Sequence, residues 1–221
     1  MRSRKSSRGI LSRLVWAALR GRPSVGDERL AERGVATEGR PYMSFRMIET
    51  QRLLLRPFTS VDLDEFVLLC ADPEVMRYIG SGEPQSRERA EMRFNALIKH
   101  WNDHAFGPFA VATKTGDEFT GFCGLQFLDN TAEIEVGFRL AKRFWAMGLA
   151  TEAAKASLRF GFEELRLDRI VAVVQPENIA SSRVIEKIGL RYVKDARFYD
   201  TDVKYYAINR EEYRPHDSKQ E

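Results

Sequence analysis

Cysteine and histidine are scarce in this chain of 221 residues, which contains two of the first and three of the second. Cys70 and Cys123 form no CxxC pair and are too few for a disulfide framework, so we expect both to be reduced residues of the core. His100 and His104 are four residues apart, but no HExxH pattern surrounds them and no metal site is expected. We interpret the histidines as surface or helix-end residues.

Two further absences narrow the functional class. No apolar run approaches the ~20 residues that a membrane-spanning helix requires. The phosphate-binding patterns GxGxxG, GxxxxGKS and GxxxxGKT are missing, which disfavours a dinucleotide or nucleoside-triphosphate site. No internal repeat is evident, so a repeat architecture is not expected.

The net charge of +3 hides two regions of opposite sign. Residues 1–42 contain ten Lys and Arg against four Asp and Glu, whereas the remaining 25 basic and 28 acidic residues give a net charge of −3. A mildly acidic globular region does not favour a nucleic-acid-binding core. We therefore expect a basic, disordered extension over 1–42, one globular domain over 48–213 and a polar tail over 214–221.

The basic extension has other interpretations. It is an upstream extension of a gene whose effective start is Met43 or Met47, or it is a targeting peptide or a membrane-surface arm. Arg-rich segments that are poor in acidic residues serve the last two roles as well. For the globular domain we expect a cytoplasmic location.

Hydrophobic periodicity predicts a mixed α/β (α+β) domain. Helices are expected from Thr59 or Ser60 to about Cys70, after Ser86, from the Gly148 loop to about Leu165, and over Ala180–Ile188. The expected strands are Arg52–Arg56, Phe109–Thr113, Glu118–Phe127, Glu133–Leu140, Ile170–Val174, Tyr192–Ala196 and Asp202–Ile208.

The stretch EIEVGFRLAKRFWAMGLATEAA, which begins at Glu133, joins a strand, a loop and a helix. Alternation places Glu133, Glu135, Gly137 and Arg139 on one face of the strand. Such a polar face lines a wet cleft if the strand is central, and is merely solvated if the strand is at an edge. The loop around Gly148 and the helix after it can offer backbone N–H groups to a phosphate.

A third segment, QPENIASS, follows the strand Ile170–Val174 and opens the next helix. Asn178 and Ser181 are natural N-cap and turn residues, and that role alone is enough to explain them. Their significance changes when the strand, the loop and this segment are considered together.

Together, EVGF, WAMGLATEAA and PENIASSRVIEKIGL resemble the GNAT superfamily of acetyl-CoA-dependent N-acetyltransferases. They are most similar to the RimJ/RimL-like branch of ribosomal-protein N-terminal acetyltransferases, which TQRLLLRPF and FGPFAVATKTGDEFTGFCGL also fit. The resemblance covers about Ile48 to Tyr213. It implies a GNAT-like splayed mixed sheet of about seven strands flanked by about four helices, with acetyl-CoA as cosubstrate and no metal.

The resemblance also implies where coenzyme A lies, namely between the strands Glu133–Leu140 and Ile170–Val174. The pyrophosphate contacts the N–H groups of the loop and helix start, the pantetheine arm pairs with the first strand, and Lys142 and Arg143 approach the phosphates. The implied cofactor-binding residues are Phe138, Arg139, Leu140, Arg143, Met147, Gly148, Leu149, Ala150, Thr151 and Asn178.

Amine acetylation needs a base, because the attacking amine must be neutral and its free pKa is about 8 for an α-amino group or about 10.4 for lysine. We assign this role to Glu135, which lies on the cleft face and matches the glutamate base of the resembled branch. Partial burial is expected to raise its pKa. The N–H of Phe138 is the expected oxyanion donor, and Ser181 matches the serine that the branch offers as acid.

One position departs from the superfamily. Many members carry a tyrosine acid seven residues after the Asn, and Ile185 occupies that position here. The acid is then Ser181 or one of four tyrosines, Tyr192, Tyr199, Tyr205 and Tyr206. Trp101, Phe106, Phe109 and Phe198 are candidates for the acceptor pocket but are more typical of a core.

We therefore expect an N-acetyltransferase that acts on a primary amine, either a protein N-terminal α-amine or a small molecule, as a monomer or homodimer. The alternative is a non-catalytic acyl-CoA-binding module, against which Glu135 argues. A third hypothesis makes residues 1–42 an RNA- or membrane-binding arm on an enzyme-like core.

Overall fold

A computed structural model describes residues 47–214. The predicted extension over 1–42, and all of the predicted tail except Arg214, lie outside the described residues. The helices are α1 Leu63–Ala71, α2 Pro73–Met76, α3 Arg87–His104, α4 Leu149–Arg159 and α5 Ile179–Lys187. The strands are β1 Ile48–Glu49, β2 Leu53–Arg56, β3 Pro108–Thr113, β4 Phe119–Phe127, β5 Ile134–Leu140, β6 Arg169–Val174, β7 Arg191–Phe198 and β8 Thr201–Asn209.

The described strands form one sheet in the order β1-β2-β3-β4-β5-β6-β8-β7. Neighbours are antiparallel except β5 and β6, which run parallel because α4 carries the chain back across the sheet. Those two strands share a single register pair, Glu135 with Val171. Beyond that pair their facing edges separate, and the sheet is splayed as predicted.

Apolar packing differs between the two faces of the sheet. On one face, Ile134, Val136 and Leu140 of β5 join α4 in the largest core cluster. On the other, the rings of Phe66 from α1 and Phe94 from α3 pack 5.4 Å apart over β3 and β4. Strand alternation therefore turns Glu135 and Arg139 toward the face that carries α1 and α3.

That second face is not covered evenly. Beneath β6 and β8 this face carries a small cluster of buried residues, which includes Val171 and Tyr205. Within the described part of the chain, the cluster consists of strand and loop residues and contains no helix residue. The helical layer thus stops near β5. Where it stops, Gly137 has open space above it on the side to which Glu135 points, and we call this opening beside the separating strands β5 and β6 the cleft.

The fold class is confirmed, with small differences in the elements. Strand β1 was not predicted, because two residues are too few to show an alternating pattern. Helix α2 adds a fifth helix, since Asp72 caps a new helical turn at Pro73. Strand β5 begins at Ile134, so Glu133 precedes it instead of opening it.

The described cysteines are buried and the described histidines are half-buried. Cys70 and Cys123 are free, buried thiols, as predicted. His100 is half-buried near the C-terminal end of α3: it packs against Phe106 and Phe127, and burial lowers its pKa to about 4. Within residues 47–214, no set of three or more candidate metal ligands comes together, and every helix is too short or too polar to cross a membrane.

Gly121 holds β4 close to β5, and its replacement by alanine tests that contact. At its φ of +142°, an added Cβ would lie 2.1 Å from the Arg139 carbonyl oxygen. We expect Gly121→Ala to lower the free energy of unfolding by about 2–4 kcal/mol, measured by urea denaturation. Gly116 lies in a turn at φ of +92° with open space around it, so Gly116→Ala introduces backbone strain but no clash. It should lower the free energy of unfolding by about 1–2 kcal/mol. Equal losses in the two variants would contradict the clash.

Candidate active site

Glu135 lies at the fork between β5 and β6 and is 5% exposed. Gln126, its partner across the β4–β5 ladder, donates a hydrogen bond of 2.6 Å from Nε2 to Glu135 Oε1. The Tyr199 hydroxyl donates to the same oxygen at 2.5 Å. The second oxygen, Oε2, accepts no hydrogen bond from residues 47–214. The carboxylate is thus held by one oxygen, and the other has no donor in the described structure.

Tyr199 reaches Glu135 from the turn between β7 and β8. Tyr199 and Asp200 have φ of 52° and 58°, the pair of positive values that a two-residue hairpin turn with the twist of its strands requires. Asp129 fixes the tyrosine at both ends: its N–H donates to the Tyr199 hydroxyl at 2.9 Å, and its Oδ2 accepts from the Tyr199 N–H at 3.1 Å. The hydroxyl is therefore positioned by backbone groups.

Burial raises the pKa of Glu135, although the hydrogen bonds from Tyr199 and Gln126 favour the charged form and act in the opposite direction. Burial and the neighbouring Glu135 charge together raise the pKa of Tyr199. The carboxylate is thus a better proton acceptor than an ordinary glutamate, and Tyr199 stays protonated as its donor.

The cleft has room beside this carboxylate. Gly137 lies between Glu135 and Arg139 on the same strand face, and a Cβ added to it would meet no atom within 4 Å. Any side chain at this position would therefore occupy the space into which Glu135 faces. The glycine keeps that space free for a ligand.

The edge of β5 that faces β6 is open beyond Glu135. The Leu140 carbonyl at this edge accepts a hydrogen bond of 2.7 Å from Trp145 Nε1. Backbone groups alternate between the two edges of a strand, so those of Phe138 share the open edge, while the Arg139 carbonyl faces Gly121 on β4. The predicted pairing with a ligand is therefore restricted to Phe138 and the N–H of Leu140.

The loop before α4 provides backbone donors. Gly148, with φ of 78°, precedes the helix, and the first hydrogen bond between helix backbone groups runs from Glu152 N–H to the Gly148 carbonyl at 3.1 Å. The N–H groups of Leu149, Ala150 and Thr151 consequently have no acceptor within the helix. Met147, at the tip of the loop, is 54% exposed. These residues fit an anionic group such as a pyrophosphate.

Arg52 braces this loop against β2. It donates from Nη1 to the Met147 carbonyl at 2.9 Å and forms a salt bridge of 2.7 Å with Glu152. Thr50 donates to Glu152 at 2.6 Å. Burial acts to raise the pKa of Glu152, but the bonds from Thr50 and Arg52 outweigh it and lower that pKa. The ion pair also offsets a negative charge that would repel a phosphate at this helix start.

Arg143 was predicted to approach the phosphates, but its ion pairs in the structure lie away from the Gly148 turn. Its guanidinium pairs with Glu118 at 3.0 Å and with Glu65 at 3.6 Å, on the α1 side. The neighbouring Lys142 pairs with Glu74 at 3.1 Å. Both cations are about half exposed, and each is engaged by a carboxylate.

Asn178 and its neighbours form the start of α5, on the β6 side of the fork. Asn178 Oδ1 accepts from the Ser181 N–H at 3.1 Å, which is the ordinary N-cap role. Ser181 is half-buried. Ser182, which sequence reasoning did not single out, is 7% exposed and its Oγ has no partner in the described structure. Ile185 belongs to the core, so no acid lies at that position.

The remaining candidates separate into core and cleft residues. Trp101, Phe106 and Phe109 are buried in the main core cluster, whereas Phe198 is partly buried in the small cluster beneath β8. Among the four tyrosines, Tyr199 alone bonds to Glu135 in the described structure, and Tyr205 instead donates to Glu133 at 2.5 Å. The structure thus distinguishes among tyrosines that the sequence left equivalent.

Comparison with known proteins agrees with this architecture. The model of the acetyltransferase (GNAT) domain matches residues 52–191. The uncharacterized protein YkkB of Bacillus subtilis is 35% identical over 163 residues, which cover 71% of this chain and 92% of YkkB. The FsC-acetyl coenzyme A-N(2)-transacetylase of Aspergillus fumigatus is 30% identical over 184 residues, covering 75% of this chain and 77% of that protein.

A solved structure gives the same result. The acetyltransferase (GNAT family) from Bacillus anthracis superimposes with a TM-score of 0.65 at 30% identity, covering 75% of this chain and 99% of that chain. The chain therefore belongs to the GNAT family of acetyltransferases, which transfer an acetyl group from acetyl-CoA, and it is an N-acetyltransferase.

Proposed function

We propose that this enzyme transfers the acetyl group to a primary amine, with Glu135 as the general base. The observation that carries the proposal is the setting of its carboxylate: Tyr199 and Gln126 hold Oε1, no described residue donates to Oε2, and Gly137 on the same strand face has open space above it. An ammonium that enters this space must lose a proton before it can attack a thioester. Oε2 is the acceptor for that proton, directly or through one water.

In the same proposal, acetyl-CoA lies in the fork of the sheet. The N–H groups of Leu149, Ala150 and Thr151, with the loop residues Met147 and Gly148, hold its pyrophosphate. Phe138 and Leu140 offer backbone groups of the open edge to the pantetheine arm, as an added strand would use them. The Asn178 amide NH₂ approaches that arm from the β6 side.

The thioester carbonyl develops negative charge as the amine attacks. The Phe138 N–H, at the open edge and near Glu135, is the donor that we propose for this oxygen. The leaving thiolate has an ordinary pKa of about 8.5, so it needs only modest help from an acid. The Tyr199 hydroxyl already donates to Glu135, so we assign Tyr199 to positioning Glu135 and retain Ser181 as the donor to the thiolate.

Sequence resemblance points to two classes of acceptor. The RimJ/RimL-like sequence features favour a protein N-terminal α-amine, whereas the relative from Aspergillus fumigatus is named for a different acceptor, FsC. A screen of amines and N-terminal peptides with acetyl-CoA, followed by mass spectrometry, tests both classes. A free coenzyme A thiol with no acetylated product would contradict the proposal.

Glu135→Gln tests the base. We expect its kcat/KM for the amine to fall by about 10²–10⁴ at pH 7, while the Kd of acetyl-CoA changes little. The deficit should shrink as the pH rises through the pKa of the amine, because a neutral amine no longer needs the base. Thiol release measured from pH 6 to 10 gives both results.

Glu133→Gln is the matched control, since Glu133 is a carboxylate just outside β5 that bonds to Tyr205. It should keep activity within about threefold of the wild type. A Glu135→Gln variant that equals the wild type on a good acceptor, or a deficit independent of pH, would show that Glu135 is not the base.

Tyr199→Phe tests the positioning of Glu135. Its hydroxyl bonds to the charged carboxylate and so lowers the pKa of Glu135, and its removal should raise that pKa. Activity requires the deprotonated base, so the acidic limb of the pH–kcat/KM profile should move to higher pH. Tyr192→Phe, on exposed β7, should leave the limb in place. A uniform loss of rate without a shift would instead indicate that Tyr199 acts in another way.

Arg52→Gln tests the brace behind the phosphate loop. The variant frees the Met147 carbonyl and leaves the Glu152 carboxylate without its ion pair, so the KM for acetyl-CoA should rise about tenfold with little change in kcat. Arg197→Gln, which breaks an exposed ion pair in the β7–β8 hairpin, is the control and should leave the KM for acetyl-CoA unchanged. A fall confined to kcat would argue against this role for the loop.

A further inference from the structure

A buried arginine lies on the same strand face as the candidate base. Arg139 is 6% exposed, and its Nε is buried without an acceptor in the described structure. Its Nη1 lies 3.4 Å from Cys70 Sγ, and its guanidinium lies 5.2 Å from the centre of the Phe122 ring. Because burial raises the pKa of Cys70, that thiol is neutral at pH 7. Arg139 therefore has no anionic partner within residues 47–214.

A second arginine adds to the unbalanced charge. Arg93 of α3 also has a buried Nε with no acceptor among the described residues. Its helix packs on the sheet face toward which Glu135 and Arg139 point, and its charge acts on Glu135, on Tyr199 and on Arg139. Burial first, and then repulsion by Arg93, lower the pKa of Arg139 to about 10, which leaves the Arg139 guanidinium charged at pH 7.

Neither guanidinium forms an ion pair with Glu135, whose Oε1 is taken by Tyr199 and Gln126. Asp129 is exposed and bonds to Tyr199. The cleft thus holds two guanidinium groups against one buried carboxylate. Buried like charges are unfavourable unless an anion joins them, and guanidinium groups match carboxylates in shape and charge.

The space for such an anion adjoins the base. Gly137 lies midway between Glu135 and Arg139 on β5, with nothing within 4 Å of an added Cβ. Four residues along a strand span about 13 Å, part of which the two side chains bridge. A compact molecule can therefore reach both residues at once.

We propose that the acceptor is a small molecule that carries a carboxylate in addition to its primary amine. Arg139 and Arg93 bind the carboxylate, and this orients the amine toward Glu135 Oε2. The proposal deepens the proposed function and rests on it. A small acceptor is favoured over a polypeptide because Arg139 is almost fully enclosed, so that only a compact group can reach it.

The experiment compares matched acceptors on the full-length chain. A panel of α- and ω-amino acids is assayed beside the amines of the same carbon skeleton that lack the carboxylate, by release of the coenzyme A thiol. We expect the best amino acid to exceed its matched amine in kcat/KM by about 10- to 100-fold. Arg93→Gln should reduce this ratio at least tenfold, mainly through the KM of the amino acid, and Arg93→Lys should restore part of it.

Arg87→Gln is the control on the same helix, because Arg87 is exposed and already pairs with Asp64 and Glu91. It should leave the ratio unchanged. Arg139→Gln is a second variant, but Arg139 is buried in the packing of the sheet, so Arg93 keeps the inference testable if Arg139→Gln does not fold.

A readout without turnover separates this inference from the proposed function. Glutarate, which has carboxylates and no amine, should raise the Tm of the wild type and have at least a threefold smaller effect on Arg93→Gln. The carboxylate subsite would be overturned if glutarate did not raise the Tm, or if matched amines and peptides were acetylated as well as amino acids. Acetylation of any amine would still uphold the proposed function. Glutarate binding without acetylation of any amine would uphold the subsite and contradict the proposed function.

Discussion

The single register pair between β5 and β6 is the constraint on which the site depends. Glu135 and Val171 form the last point at which the two halves of the sheet meet. Past it, the edge of β5 has no strand partner, and a sheet edge within a protein exposes backbone donors and acceptors that a ligand can use. The same separation places Glu135 at the apex of the fork, where the open edge and the base adjoin.

The position at the apex lets two donors stabilise a buried carboxylate. Removing a charge from water is unfavourable, and Gln126 and Tyr199 offset this by donating hydrogen bonds to one oxygen of Glu135. One donor comes from the ladder partner on β4 and the other from the β7–β8 turn, so the two halves of the splayed sheet both contribute to the carboxylate. Holding Oε1 from both sides fixes the direction of Oε2.

Much of this fold follows from local sequence signals, but the contacts to Glu135 do not. Alternation predicted β5 and its polar face, and Gly148 predicted the loop, because both depend on neighbouring residues. The Tyr199 contact spans 64 residues and depends on two non-glycine residues with positive φ, which no local pattern specifies. Gln126 follows only once the Asp129–Asn130 turn sets the register of β4 against β5.

Arg139 shows how a correct pattern can mislead about environment. Alternation put it on the polar face with Glu135, and the structure agrees, yet α1 and α3 cover that end of β5 and bury the guanidinium. One strand face therefore carries Glu135, to which the protein supplies hydrogen-bond donors, and Arg139, to which the described residues supply no anionic partner. An unmatched buried charge favours the binding of a group of opposite sign, because that group compensates the charge without displacing a partner supplied by the protein. The imbalance around Arg139 and Arg93 is thus the feature of this cleft that bears most directly on acceptor choice.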